Sequence, residues 1–283
     1  MRSILGAGRL PLVVVLLAAP AYAQTSPGTW NGLPDRFQID TGYFRMSAST
    51  KLRYNGAQGG SGEIDFEEDL GLDPTVDTFW LDGRWRVGRR HQLQLGFTRS
   101  HRDARDYTLE REFVWGGETY GAGLEANTTG NADILGGYYR FAIVRTDRVE
   151  IGPTLGIGYL WLEARIQASG RVSGPGGAAE TRTLDEGTST GSITGAIGGY
   201  AEVWPAKRLV LRGDFLYVKV KPENSEASVT DWRVAADWYF ARNVGVGVQY
   251  KYNKYTYDRG ILVSELGGEL GYEGLQIFAT FRF

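Results

Sequence analysis

Alternation of apolar and polar residues with a period of two is the feature that most constrains how this chain can fold. In the segment 244–253, Val or Tyr occupies every second position, and Gly, Gln, Lys or Asn occupies the positions between them. The segment before it places Trp232 and Trp238 on one face and Arg233 and Asp237 on the other. Side chains of a β-strand alternate between its two faces, so this pattern predicts strands with one apolar and one charged face.

Ten segments with this alternation are separated by connections of two kinds. The predicted strands cover residues 35–50, 76–87, 91–104, 130–144, 148–165, 189–204, 207–221, 227–241, 243–257 and 270–283. Short turns alternate with long polar connections, including the Gly-rich segment 166–188, which we interpret as a flexible surface loop. This rhythm predicts an all-β fold, an antiparallel up-and-down barrel of about ten strands with both termini at the end that carries the short turns. Eight or twelve strands are the alternatives. Twelve would result if residues 105–115 and 118–128, which also alternate, spanned the membrane; we interpret these two segments as a hairpin that extends the third and fourth strands.

The charged face of the strands is predicted to line the barrel interior, and the apolar face is predicted to meet lipid. A soluble β-sandwich or ligand-binding barrel has the opposite arrangement, with its apolar face inside. Here the polar face is rich in Gly and carries charges of both signs at mid-strand, which suits a crowded interior. Trp232 and Trp238 lie six residues apart on the apolar face, about 20 Å along a strand, and this separation suits the two aromatic girdles of a transmembrane barrel.

The first 23 residues have the pattern of a secretory signal peptide. Arg2 and Arg9 form a positively charged region that precedes a short apolar run. Ala21-Tyr22-Ala23 then gives the small-x-small pattern that signal peptidase cleaves. The apolar run is shorter than the roughly 20 residues that a spanning helix needs, and an uncleaved anchor is the alternative. The predicted organisation is a signal peptide at 1–23, exported through the Sec pathway, a short periplasmic segment at 24–34 and one barrel domain at 35–283.

Composition excludes several classes of function. The sequence contains no Cys, which rules out disulfides and thiol chemistry. Its formal net charge of −2 lacks the basic character expected of a nucleic-acid-binding protein. The Gly-rich segment 166–188 has neither the strand–loop–helix context nor the Lys of a phosphate-binding loop, and we expect no cofactor.

The last predicted strand carries the most specific motif. Leu275, Ile277, Ala279, Phe281 and Phe283 alternate with more polar residues, and Phe283 is the last residue. On these residues the chain resembles bacterial outer-membrane β-barrel proteins of the small porin-like class, although no subfamily is identified. The resemblance implies a multi-pass protein of the Gram-negative outer membrane, surrounded by lipid and lipopolysaccharide. It also implies that Phe281 and Phe283 act as the signal that the barrel assembly machinery reads.

The predicted interior carries nearly balanced charge. Its central charged residues are Asp40, Asp82, Arg84, Arg86, Arg140, Glu150, Glu202, Arg212, Asp214, Arg233, Asp237 and Arg282. A selective pore usually presents rings of one sign, whereas Arg–carboxylate pairs make hydrogen-bonded plugs. We therefore predict a structural or porin-like barrel whose lumen is either closed by ion pairs or narrow enough to pass only small polar solutes. We expect a monomer, because the apolar faces suit lipid all round.

Two other classes of function have candidate residues. A hydrolase that acts on lipid A or peptides would use His101, since His91 falls at a short turn; we can match no catalytic motif around His101, and we expect no enzyme activity. No metal is expected, although the acidic residues Asp65, Glu67, Asp69 and Asp73 are weak candidates for calcium ligands. A third alternative is a surface adhesin or receptor that uses the long outer loops.

Overall fold

The computed structural model describes residues 36–55, 61–110, 113–115, 118–120, 122–173, 179–221, 225–261 and 264–283. The predicted signal peptide and the segment 24–34 lie outside these residues. The described residues form strands β1 (Phe37–Asn55), β2 (Ser61–Asp65), β3 (Thr75–Arg86), β4 (His91–Thr108), β5 (Phe113–Trp115), β6 (Glu118–Tyr120), β7 (Glu125–Phe141), β8 (Val144–Arg145), β9 (Val149–Ser173), β10 (Ala179–Ala206), β11 (Leu209–Val220), β12 (Ser225–Tyr239), β13 (Val244–Ile261) and β14 (Ser264–Arg282). They contain no helix that is long and apolar enough to cross a membrane.

Ten of these strands close into one antiparallel barrel. Their order around the barrel is β1, β3, β4, β7, β9, β10, β11, β12, β13 and β14, so neighbours in sequence are neighbours in space. β14 returns to β1 in a register that runs from Gln38 opposite Arg282 to Asn55 opposite Glu265. The prediction of ten strands is confirmed. The remaining strands are short: β2 pairs with β1, β8 pairs with β9, and the hairpin β5–β6 pairs with β9.

Several strands run further beyond the apolar part of the wall than the sequence pattern predicts. The loop predicted at 166–188 is wrong, because β9 continues to Ser173 and β10 begins at Ala179 in an unbroken antiparallel register. Outside a membrane neither face of a strand needs apolar residues, so the alternation fades while the backbone hydrogen bonds continue. The two longest strands therefore contain Thr, Ser and Gly where the pattern suggests a loop.

The outer wall carries an apolar band between two groups of aromatic side chains. Exposed residues of the band include Leu155, Ile157, Ile193 and Ile197, and Ile193 is 72% exposed. At the end with the short turns, which we call the turn end, Phe37 stacks on Trp85 with ring centroids 6.0 Å apart. Towards the opposite, loop end, Trp232 stacks on Tyr250 at 5.6 Å and on Tyr252 at 5.8 Å. The apolar face of the strands thus points outward, as expected for a barrel in a lipid bilayer.

Cross-strand ion pairs replace the apolar band nearer the loop end. Arg45 lies opposite Asp77, with Nε and Oδ1 3.9 Å apart. Arg99 lies opposite Asp133, at 3.1 Å. Similar exposed pairs are Arg165–Asp185, Lys219–Glu226 and Lys254–Glu269. We call these outward pairs the outer collar. They mark the level at which the wall changes from a lipid-compatible to a water-compatible surface.

The wall between β1 and β4 is interrupted by one inserted segment. β2 and β3 pair with successive stretches of β1, so Asp65 lies opposite Lys51 and Thr75 opposite Ser47. Residues 66–74, between β2 and β3, lie outside the strand pairing with β1 and fold into the barrel instead. We call them the insertion. β3 and β4 pair only as far as Trp80 opposite Thr98, and the insertion occupies the lumen beyond that level.

The closing seam between β1 and β14 predicts a test of the fold. A Cβ added at Gly42 would lie 2.1 Å from the backbone oxygen of Ile277, so Gly42→Ala must push the two strands apart. Gly83, on the neighbouring strand β3, has nothing within 4 Å of the same position. We expect Gly42→Ala to lower the free energy of unfolding by about 2 kcal/mol, and Gly83→Ala to leave it nearly unchanged.

Urea unfolding in detergent micelles, followed by tryptophan fluorescence, measures both variants against the wild type. Equal stability of the two variants would contradict a seam at Gly42.

Candidate functional site

The lumen near the turn end is crossed by nine charged side chains, which we call the ion-pair layer. In the order of their contacts they are Asp237, Arg212, Asp40, Arg84, Glu202, Arg140, Asp214, Arg233 and Asp82, so acids and bases alternate. Arg212 Nη2 lies 2.7 Å from Asp237 Oδ1 and Arg212 Nη1 lies 2.8 Å from Asp40 Oδ2. Each arginine therefore bridges two carboxylates, which the guanidinium can do because its donors point in several directions.

These contacts span the barrel instead of following its wall. Arg212 on β11 reaches Asp40 on β1, and three strands, β12, β13 and β14, lie between them. Arg84 on β3 reaches Glu202 on β10 past β4, β7 and β9. Arg233 Nη1 lies 3.4 Å from Asp82 Oδ2, again across three strands. Bonds in three directions across the lumen fill the cross-section at this level.

The other three charged residues predicted for the interior lie beside this layer. Glu150 is fully buried and accepts hydrogen bonds from Arg86 Nη2 at 3.0 Å, Gln92 Nε2 at 2.5 Å and Tyr200 Oη at 2.8 Å. Arg282 Nε donates to Gln38 Oε1 at 2.8 Å. All twelve of the predicted residues thus point into the lumen, and the structure brings nine of them into one chain of ion pairs.

Above the ion-pair layer the lumen is filled by apolar side chains that the sequence analysis did not predict. This apolar layer consists of Phe44, Met46, Ala48, Val76, Trp80, Ala132, Leu160, Leu270, Tyr272 and Phe278. Trp80 and Phe278 meet edge to face, with ring centroids 5.5 Å apart, and the guanidinium of Arg212 lies 5.5 Å from the Phe278 ring. The two layers are therefore in direct contact. The signal in the sequence was apolar residues on both faces of a strand, as in Tyr159-Leu160-Trp161-Leu162.

The insertion packs inside the lumen nearest the loop end. Its residues Phe66, Leu70 and Leu72 are buried and pack with Ala126 of β7 and Ile166 of β9, the strands that follow β4 in the wall. This part of the wall leaves room for them: a Cβ on Gly130 of β7 would lie 2.7 Å from a methyl carbon of Leu72.

Charged groups fix the insertion to the wall. Glu67 pairs with Arg102 of β4 and accepts a hydrogen bond from the Thr50 amide at 2.8 Å. Arg102 Nη2 in turn donates to the Thr50 hydroxyl at 2.5 Å. Since Arg102 and Glu67 are both nearly buried, this pair holds the insertion at a defined depth.

A bulge in β4 adds a further contact to the insertion. The register of β4 with β7 shifts between Ala104 and Tyr107, and Asp106 has a φ of 53°. The shift places Tyr107 opposite the inward residue Ala126. Its ring lies against Gly71, where an added Cβ would lie 2.2 Å from a ring carbon of Tyr107. The φ of 70° at Gly71 also disfavours any residue with a side chain. The bulge therefore turns an aromatic ring towards the insertion.

The four weak candidates for calcium ligands are engaged in other contacts. Asp65 Oδ1 accepts from the amides of Glu67 and Glu68, Asp69 Oδ2 from the Asp65 amide, and Asp73 Oδ1 from the Thr75 amide. Glu67 is held by Arg102 as described above. No group of three His, Asp or Glu side chains suited to a metal ion occurs in the part of the chain that the structure describes.

Asp65 shows how these contacts stabilise the start of the insertion. Partial burial would raise the pKa of this carboxyl, but the Glu68 amide, Lys51 and the Glu67 amide outweigh burial and lower the pKa below its ordinary value. A lowered pKa contributes stability above the ordinary value that is lost as the pH falls through the lowered one. The turn at the start of the insertion is therefore stable at neutral pH.

Three small cavities lie between and beside the layers in the described part of the chain. One, of about 40 Å³, is lined by Lys251 and by side chains of the two layers that include Trp80, Asp82, Arg140 and Arg233. Two smaller cavities, of about 20 Å³ each, lie beside the apolar layer and beside Arg282. Volumes of this size hold one or a few water molecules. Several buried polar atoms, including Asp82 Oδ1 and Arg140 Nε, have no protein partner, so water in the cavity would satisfy them.

His101 lies on the outer wall in the collar and not in the lumen. Its side chain is about half exposed, and Nε2 lies 3.3 Å from Asp133 Oδ1. The same carboxylate accepts from Arg99 Nε at 3.2 Å and from Arg99 Nη2 at 3.1 Å. His91 at the turn end shares a 2.6 Å hydrogen bond with the Tyr139 hydroxyl.

The fold is that of the bacterial outer-membrane β-barrels. The outer membrane protease OmpT from Escherichia coli is similar over 92% of this chain and 100% of that chain, with 14% identity and a TM-score of 0.57. The translocator domain of the autotransporter NalP from Neisseria meningitidis is 12% identical over 88% of this chain and 89% of its own, with a TM-score of 0.46. No family model matches the sequence, and neither does any curated protein sequence. At 14% identity the likeness to OmpT shows the fold, and together with the apolar outer band it supports an outer-membrane location.

The ion-pair layer predicts an unequal cost of removing buried and exposed arginines. Arg84→Gln leaves Asp40 and Glu202 buried with one arginine fewer, and we expect a loss of about 3 kcal/mol in the free energy of unfolding. Arg165→Gln removes an ion pair whose partners are about half exposed, and we expect a loss of at most about 1 kcal/mol. Urea unfolding in micelles measures both values. Similar losses in the two variants would show that the ion-pair layer is solvated.

Proposed function

We propose that the protein is a closed outer-membrane barrel with a structural role, which passes no solute in its resting state. The observation that carries this proposal is the filling of the lumen at three successive levels: the ion-pair layer, the apolar layer and the insertion. An open porin leaves a water-filled channel through the barrel. Here the cavities between the layers hold only a few water molecules, so the ion-plugged alternative is favoured over the narrow pore.

We further propose the partners and the route that fit this role. The apolar band meets outer-membrane lipid, and the outer collar lies at the level of lipopolysaccharide. Export through the Sec pathway and assembly by machinery that reads Phe281 and Phe283 would deliver the chain to this membrane. Phe283 is on the lipid-facing side, whereas its neighbour Arg282 is buried in the lumen. A monomer is proposed because exposed apolar side chains occur on all ten barrel strands.

Conductance in planar lipid bilayers tests the closed lumen. We expect wild-type protein to give no stepwise currents. Replacing residues 66–74 with a short Gly-Ser linker should also give none, because the ion-pair layer remains in place. The same deletion combined with Arg84→Ala, Arg140→Ala, Trp80→Ala and Phe278→Ala should open a channel, since it empties part of the ion-pair layer and of the apolar layer as well as removing the insertion.

Resistance to proteolysis and the mobility of unheated samples on gels establish that each variant is folded. Stable open-channel currents from the wild type would contradict the closed barrel.

A hydrolase is the second candidate function, and the contact between His101 and Asp133 is the observation that favours it. A carboxylate that orients a histidine is a common part of hydrolytic sites. However, Arg99 occupies the same carboxylate, and a structural pair in the outer collar accounts for the contact. We expect neither peptide cleavage nor lipid A hydrolysis by the wild type; hydrolysis that is lost in His101→Ala but kept in His91→Ala would establish the enzyme.

A further inference from the structure

The four short turns at the turn end are strongly basic. Residues 87–90, 142–148, 207–208 and 240–243 contain seven Arg or Lys residues, and Asp147 is their one acidic residue. The complete sequence, by contrast, has a formal net charge of −2. Because all four turns lie at the same end of the barrel, they concentrate positive charge there while the rest of the chain is acidic.

Most of these cations have no carboxylate partner, unlike the bases of the outer collar. Arg89, Arg90, Lys207 and Arg242 are exposed, and within the described residues none of them forms an ion pair. Arg208 is also exposed, and its Nη1 donates to the backbone oxygen of Phe240 at 3.1 Å. In the collar, bases such as Arg99 and Lys254 each face an acid. The turn end therefore presents positive charge that no described carboxylate balances, whereas the bases of the outer collar are paired.

The depth of these cations is set by the aromatic groups beside them. Trp85 and Val87 are exposed on the outer wall, and Arg89 follows Val87 by two residues; Trp238 and Phe240 are exposed, and Arg242 follows Phe240 by two. Two residues span at most about 7 Å, the length of fully extended chain, and here the chain bends. The headgroup region of a bilayer is roughly 5 to 8 Å deep on each side. These side chains therefore lie at headgroup level, and the short turns project no further.

We propose that the turn end of the barrel binds anionic phospholipid headgroups of the adjoining leaflet. Arginine matches phosphate oxygens through paired N–H donors and stays charged at any physiological pH. Four turns spaced around the rim give several separate contacts, which suits a ring of lipids better than one folded partner. A periplasmic protein or the cell-wall polymer would have to reach these cations through the headgroup layer. The inference does not depend on whether the lumen is closed.

Lipid selectivity tests the proposal directly. The protein is reconstituted in vesicles that contain phosphatidylcholine and phosphatidylglycerol, and either lipid is supplied in a brominated form that quenches tryptophan fluorescence. Trp85 and Trp238 place two fluorophores beside the basic turns. We expect phosphatidylglycerol to be preferred about fivefold at low ionic strength, and the preference to decrease as NaCl is added.

Two variants that lose the same number of positive charges show which end of the barrel causes the preference for phosphatidylglycerol. Arg89→Gln, Arg90→Gln, Lys207→Gln and Arg242→Gln together remove four cations from the turn end and touch no residue of the lumen. Arg45→Gln, Arg99→Gln, Lys219→Gln and Lys254→Gln remove four cations from the outer collar. We expect the first variant to lose the preference and the second to keep it.

Three results would overturn the proposal. They are equal quenching by the two lipids in the wild type, an equal loss of preference in both variants, and a preference that does not change with salt. The wild-type measurements decide the question even if a variant fails to fold. Sedimentation of solubilised wild type with purified cell-wall sacculi, combined with equal quenching by the two lipids, would assign the basic rim to the cell wall instead.

Discussion

The pairing of every barrel strand on both sides is the constraint on which the rest of this structure depends. In hydrocarbon no water can satisfy a free backbone amide or carbonyl, so a sheet that crosses a membrane must close on itself. Here the closure is made by β14 on β1. Where the wall loosens, between β3 and β4 beyond Trp80 and Thr98, the outward residues already include Arg99 and Asp77 of the collar. The irregularity is thus confined to the level at which water can hydrate the backbone.

Closure with the apolar face outward leaves an interior that must be filled by other means. The ion-pair layer solves this with arginines that bridge carboxylates across three strands, and removing one partner would leave an unpaired charge in a space that water hardly reaches. The apolar layer and the insertion fill the wider part with packing contacts, so only a few polar groups there need partners. Small residues on β7, such as Ala126 and Gly130, leave the space that Leu72 and its neighbours occupy. The lumen is therefore filled by side chains from the wall and from one inserted segment.

The period-two pattern was sufficient to predict the strand number and the inward direction of the charged mid-strand residues, because both follow from local alternation. Arg282 inside and Phe283 outside is one example. The partner of each charge could not be predicted, since Arg212 meets Asp40 only after ten strands have closed with a particular stagger. The apolar layer escaped prediction because residues such as Phe44 and Leu160 have apolar neighbours on the other face, and alternation assigns only one face to lipid. The loop-end parts of β9 and β10 were not predicted as strands because both of their faces are polar.

Charged residues occur in three places along the barrel, namely the lumen, the outer collar and the turn end, and they have a different role in each. Most charges in the lumen are paired. They also keep each strand from becoming a continuous apolar run, which would resemble a membrane-spanning helix during export; the mean hydropathy of −0.28 reflects this. Charges in the outer collar are paired and exposed, so they contribute little stability but define where the lipid-facing wall ends. Charges at the turn end are mostly unpaired, and folding alone does not account for them. A group of like charges that no internal partner balances is best explained by an external one of opposite sign, and at this depth the available anions are lipid phosphates.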